Sequence, residues 1–426
     1  MKAASTVCLW VGAVVVALTV GGCSGSREPG QAWGEKPAIV TISTQTEAVP
    51  GRVQWVAFQS GAGPWTRLQP SRPGTYLGAC TSSDGKYGFA VVYDFGEAVW
   101  QTICQATVAE LPEVRLDTGT IVGARAPPKW HTISGSLAGV PTGQFADIYV
   151  YVARESIPGG ATTWSTDFAA EGVHDLLAVR YTVTGNPISP TFVYDKVIVL
   201  RDINVTGDMT INLDFDSKQA YDLDTFPVSV SSAGGAWGLS GTMKTRNHTT
   251  WRWHFHGLSD TYYALPAALR DPGDRYRLSG LGGSVPASLW RDLYFAVPGP
   301  KDMTLPAPLG SAAISIAATT PYRRAAVNWT HYPRALYYEA SILTSGWCDV
   351  ILTPGWLGSA ATYEYTMPDF GSVAGWHNAW GLPEHAAWWV TATTSNQGIG
   401  DTIGIPQGQT APDNTDIGTA EIEGSF

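Results

Sequence analysis

Short runs of β-branched and aromatic residues, cut at close intervals by Gly, Pro, Asn or Asp, constrain this chain more than any other feature. Val53-Gln54-Trp55-Val56-Ala57-Phe58, Tyr87 to Tyr93, Asp147 to Val152 and Lys196 to Leu200 are such runs, and Met209 to Phe215 keeps strict period two. Period two places alternate side chains on opposite faces of a strand, so each run reads as a strand with one buried face. Helix signals are nearly absent. The best is Leu265-Pro266-Ala267-Ala268-Leu269-Arg270, one or two turns that stop at Asp271-Pro272-Gly273-Asp274. The expected fold is therefore all-β, several consecutive antiparallel β-sandwich domains. Composition agrees. Gly 47 and Pro 28 supply the turns, and only 15% of the 426 residues are charged, against about 25% in an average soluble chain. That balance excludes a disordered chain, a coiled coil and a collagen. A net charge of −10 argues against a nucleic-acid partner, because no basic footprint is available to displace phosphate counterions.

The N-terminus carries an address. Lys2 precedes an apolar run from Cys8 to Val20, too short for a membrane-spanning helix of about 20 residues but suited to a signal peptide. Val20-Gly21-Gly22-Cys23 follows, then Ser24-Gly25-Ser26. This resembles the lipobox of bacterial lipoproteins, in which a small-residue pair precedes a Cys that is lipidated and becomes the new N-terminus. The resemblance implies that residues 1–22 are a signal peptide, that Cys23 bears acyl chains, and that residues 23–37 tether the protein to a membrane. Each buried CH₂ of such chains contributes about 0.8 kcal/mol. By the same analogy, Ser24 in place of Asp implies the outer membrane where the organism has one, and otherwise the outer face of the cytoplasmic membrane. The rest of the chain is similar to bacterial envelope lipoproteins as a class, which implies a location and not a reaction.

Turn clusters divide the remainder. A β domain is expected over residues 38–117, a linker over 118–129 that ends Ala126-Pro127-Pro128-Lys129, and a second domain over 130–217. The second domain opens Ile133-Ser134-Gly135-Ser136-Leu137 and contains Gly172-Val173-His174-Asp175-Leu176. These two segments resemble the prealbumin-like (carboxypeptidase regulatory-like) sandwiches of exported bacterial proteins, which implies a fold and no activity. A third β domain is expected over 218–318. A fourth, over 319–405, resembles a fibronectin-like domain, with Val327 and Trp329 facing inward. Residues 406–426 are polar and are expected to form an untethered tail. Cys80 and Cys104 flank a turn and a strand and are expected to form a disulfide in an oxidising compartment. Cys348, left over, reads as a buried inert thiol; a catalytic thiol needs a His partner.

Motifs whose chemistry dictates spacing are missing: there is no Gly-x-Ser-x-Gly, no phosphate-cradling loop, no His-Glu-x-x-His and no Cys-x-x-Cys. Three features remain. In Trp251-Arg252-Trp253-His254-Phe255-His256, a strand sends His254 and His256 to one face. Two imidazoles at that spacing can share Zn²⁺ with a third ligand, or can be the solvent side of a strand whose aromatics point inward. Asp214, Asp216, Asp222 and Asp224 supply oxygens for Ca²⁺, or are strand-end and turn residues. The third feature is the 18 tryptophans. Trp376 and Trp380 lie in a Gly-bounded loop, and of the Trp388-Trp389 pair one faces a core and Trp389 is available. Such side chains stack on sugar faces or fill local packing. The expected function is non-catalytic: presentation of a surface that recognises a glycan or another envelope protein. The alternatives are a hydrolase with dispersed carboxylates or a His254/His256 metal site, and a structural spacer.

Overall fold

The computed structural model describes residues 37–44, 53–94, 98–116, 129–151, 153–186, 189–232, 235–254, 259–343, 346–403 and 411–425. The signal peptide, Cys23, nearly all of the tether and nearly all of the 118–129 linker lie outside these residues. The chain is all-β, about 62% strand and 4% helix. The one helical expectation, at Leu265–Arg270, is a single 3₁₀ turn, Ala267–Leu269.

A twelve-stranded sheet organises the molecule. Its strands, in spatial order, are Thr250–His254, Ala236–Lys244, Arg275–Ser284, Ala287–Phe295, Asp416–Ser425, Ala387–Ser395, Tyr337–Leu343, Trp347–Leu352, Val99–Thr107, Lys86–Asp94, Val53–Ser60 and Thr66–Arg67. Neighbours are antiparallel except Trp347–Leu352 and Val99–Thr107, which run parallel. That parallel pair joins the 38–117 segment to the 319–405 segment in one hydrogen-bonded sheet. A correction concerns residues 406–426, expected as a tail. Asp416–Ser425 is an internal strand of the sheet, between Ala287–Phe295 and Ala387–Ser395. Its core-facing residues are Gly418, Ala420 and Ile422; two of these are small, which is why the segment reads as polar in sequence. Gly418 and Gly424 permit close neighbours, since a Cβ would stand 2.7 Å from Thr394 Oγ1 and 2.3 Å from the Trp388 ring.

Smaller sheets cover this one. Ala38–Thr44, Pro70–Arg72, Thr75–Cys80 and Glu113–Leu116 form a cover over one face near its Val53–Ser60 end, around Ile42, Phe58, Phe89 and Val91. Two three-stranded sheets build the other core. One is Ala312–Ala318, Arg324–Thr330 and Thr362–Thr366; the other is Thr261–Ala264, Asp224–Ser231 and Lys301–Thr304. That core is continuous from Trp55 through Trp329 and Trp388 to Trp251 and Trp253. Val327 and Trp329 face inward as expected, each 2% exposed. Burying each such large side chain contributes roughly 1.5–3 kcal/mol, so this core accounts for much of the tryptophan load.

Over residues 130–222 two sheets form a sandwich around Ile133, Trp164, Ile198 and Phe215. One contains Ala153–Pro158, Gln144–Val150, Gly172–Asn186, Ser189–Val205 and Ala220–Asp222; the other contains Thr163–Ala170 and Trp130–Ala138. Met209–Phe215 is not the single strand its periodicity suggests. It makes two short parallel bridges, Met209–Thr210 and Leu213–Asp214, to Trp130–Ala138. The outer face of the larger sheet joins the neighbouring core, where Tyr194 meets Trp251 and Tyr263 at ring distances of 5.8 and 5.1 Å. Arg201 ties the same contact, bonding Asp175 at 2.8 Å and Asp274 at 2.7 Å.

Cys80 and Cys104 are free, buried thiols, which corrects the expected disulfide. They lie on facing sheets of one core, and the Cys80 Sγ is turned to the carbonyl of Lys86 at 3.3 Å.

Candidate binding site

Strands Tyr337–Leu343, Trp347–Leu352, Ala387–Ser395 and Asp416–Ser425 carry one face of apolar residues and one of polar or aromatic ones. Ala340, Ile342, Cys348, Val350, Trp388, Val390, Ala420 and Ile422 face the core. The alternate residues Glu339, Ser341, Trp347, Asp349, Trp389, Thr391, Glu421 and Glu423 face the other way, as period two requires. None of these eight belongs to any of the three cores. Registry makes them neighbours: Ser341 is opposite Asp349 and Trp389, Thr391 is opposite Glu339 and Glu421, and Trp389 is opposite Glu423.

The carboxyl groups are tightly organised. Ser341 Oγ donates to Asp349 Oδ1 at 2.8 Å and lies 3.4 Å from Glu339 Oε1. Trp347 Nε1 also donates to Asp349. Burial raises the pKa of both Glu339 and Asp349, and the charge of Glu339 raises Asp349 further. Two like charges this close cannot both ionise cheaply, so the pair holds a proton near neutral pH. Glu421 is pushed up to about 7, chiefly by burial and then by Glu423 and Glu339, while the Thr391 hydroxyl at 3.3 Å pulls it down.

Beside these groups the Trp347 and Trp389 rings stack, 5.6 Å apart at 10°. Trp347 is the buried member, 9% exposed, and Trp389 the half-buried one. The arrangement is an aromatic plate bordered by hydrogen-bonding carboxyls and hydroxyls. Of the three expected tryptophans, Trp389 alone joins it. Trp376 is spent on packing, with ring distances of 5.2 Å to Trp55, 5.0 Å to Phe370 and 5.0 Å to Tyr322. Trp380 leans edge-on against Trp376 at 5.3 Å and on His377 at 4.8 Å.

Of the metal candidates, His254 ends the edge strand, opposite Ser240, and its side chain lies outside what the structure describes; Trp251 and Trp253 on that strand are fully buried. His256 lies outside the described residues. Among the described residues no group of three His, Cys, Asp or Glu side chains is placed to hold an ion. The Ca²⁺ set is dispersed: Asp222 pairs with Lys196 at 3.1 Å, Asp224 pairs with Arg270, and Asp214 accepts the Asp216 N–H at 2.9 Å.

Glu339, Ser341, Asp349, Thr391 and Glu421 were not singled out in sequence. The available signal was a charge at an alternate position within an otherwise apolar strand, as in Glu339-Ala340-Ser341-Ile342 and Cys348-Asp349-Val350.

No family model matches the chain, and no curated protein matches it either. Among solved structures, the chain is similar to the TIE protein of Bacillus anthracis, at 7% identity over 86% of this chain and 70% of that one, with a TM-score of 0.14. It is also similar to the pilus adhesin SpaC of Lactobacillus rhamnosus GG in its open conformation, at 10% identity over 74% of this chain and 43% of that one, with the same TM-score of 0.14.

Proposed function

We propose that this chain is an exported, lipid-anchored envelope protein whose polar sheet face binds a carbohydrate at Trp389. The observation that carries the reading is the Trp347–Trp389 stack on the same sheet face as Glu339, Glu421 and Glu423. Trp347 fixes the orientation of Trp389, so the half-buried ring is presented with little entropy left to lose. A sugar laid on that ring turns its C–H face to the aromatic and its hydroxyls to the bordering carboxyls. The lipobox resemblance at Cys23 supplies the location. A hydrolase reading draws on the shared proton of Glu339 and Asp349, but Asp349 is only 2% exposed and out of reach of a substrate, which favours binding.

The test is a glycan-array screen of the full chain in detergent, followed by titration of any bound glycan to the Trp389→Ala protein. Loss of the stack costs about 1.4 kcal/mol or more, a tenfold or greater weakening. A Trp376→Phe protein is expected to bind as the parent does. An array with no bound glycan, or binding untouched in Trp389→Ala, overturns the reading.

A further inference from the structure

Cys348 is not the isolated thiol that its place in the sequence suggests. The Trp347–Leu352 strand pairs with Val99–Thr107 so that Cys348 stands directly opposite Gln101. Opposed residues of paired strands point to the same side of the sheet, and here both enter the core. The Cys348 thiol donates to Gln101 Oε1 at 3.5 Å, across 247 residues of sequence. The Gln101 amide nitrogen is held from its other side, donating to the carbonyl of Trp380 at 2.8 Å. That bond fixes the carboxamide with its carbonyl toward the sulfur. Cys348 is 3% exposed and Gln101 5%, so water is excluded. The covering strand brings in Tyr365, whose hydroxyl is buried with no hydrogen-bond partner and lies near enough to Cys348 to feel its charge.

From this geometry we infer that Cys348 and Gln101 join in an internal thioester. The Cys348 Sγ attacks Gln101 Cδ; the S–C bond forms, the C–N bond of the carboxamide breaks, and the amide nitrogen leaves as ammonia carrying the thiol proton. No oxidant, reductant or second substrate is consumed. Fixed proximity replaces a bimolecular encounter. Burial raises the Cys348 pKa, so thiolate is scarce and the step slow. It need occur only once in the life of each chain, and the dry site then protects the product from hydrolysis. The bond is an acyl donor toward amines, and it links strand Val99–Thr107 to strand Trp347–Leu352. This inference does not rest on the carbohydrate reading.

Peptide mapping of the full chain, digested at acidic pH, tests it. The expected result is a cross-linked pair of peptides containing Gln101 and Cys348, lighter than their sum by one ammonia. Treatment of the unfolded chain with methylamine is expected to separate them, leaving the methylamide at Gln101 and a free thiol at Cys348. Cys348→Ser and Gln101→Glu are each expected to lose the cross-link. Two intact, separate peptides in the parent protein and no methylamine incorporation overturn the inference, without reference to any variant's folding. Ammonia loss that maps elsewhere, or persists in Cys348→Ser, overturns it equally.

Discussion

Glu421 illustrates how one residue on the polar face sets a pH dependence. Its folded pKa, about 7, lies above the ordinary 4.5 because burial disfavours the charged form. A carboxyl whose pKa rises on folding binds its proton more tightly in the native state. Its contribution is therefore fully present below about pH 4.5 and is lost as the pH rises through 7. Glu421→Gln keeps the shape of the protonated form and removes that loss. Urea unfolding at pH 8 is expected to show the variant more stable than the parent by roughly 2–3 kcal/mol, and the gap is expected to close at pH 4.5. Equal stability at both pH values would contradict this account. The same residue shows why the site was hard to read in sequence. Glu421 sits in a segment rich in Gly and acidic residues that resembles a tail, and its significance comes from Thr391 and Glu339 on strands with which it has no sequence relation.

At the scale of single elements, alternation gave the strands and chain-to-chain approach decided their details. Val53–Ser60, Lys86–Asp94 and Gln144–Val150 form where β-branched and aromatic residues alternate with smaller ones. Met209–Phe215 has the cleanest alternation and the least regular pairing. The reason lies at Gly135, where a Cβ would stand 1.8 Å from the carbonyl oxygen of Ile211, so the two backbones touch. Only a residue without a side chain fits there. Gly135→Ala is expected to destabilise the chain by about 2 kcal/mol or more, since backbone rather than a flexible side chain must yield. Thermal unfolding measures this; an unchanged midpoint would show that the contact is looser than described. Disulfide prediction from flanking turns failed for a related reason. Spacing places Cys80 and Cys104 near one core, but the direction of each sulfur depends on the sheets that carry them.

The whole molecule is organised by one sheet built from distant parts of the chain. Asp416–Ser425 supplies hydrogen bonds to both Ala287–Phe295 and Ala387–Ser395, and without it two strand edges are exposed and the continuous core is opened. A chain ending at residue 410 is expected to lose cooperative unfolding and near-ultraviolet circular dichroism, whereas an untethered tail would be dispensable. Retention of the parent's transition would restore the tail reading. The parallel pairing of Trp347–Leu352 with Val99–Thr107 has the same consequence. It places Val99–Thr107 and Trp347–Leu352 side by side in one sheet, and it brings Cys348 against Gln101.

What the sequence determined by itself was local: strands from period two, turns from Gly and Pro, and the inward faces of Val327 and Trp329. These follow from backbone geometry and burial, which act between residues near in sequence. Tertiary structure alone decided the strand order, the central place of the C-terminal segment, and which tryptophans are packed in the cores. It also decided which carboxyls share a proton. All of these depend on registry between strands, from neighbouring hairpin strands to strands more than two hundred residues apart, and a side chain's neighbours across a sheet leave no pattern in the sequence on either side of it.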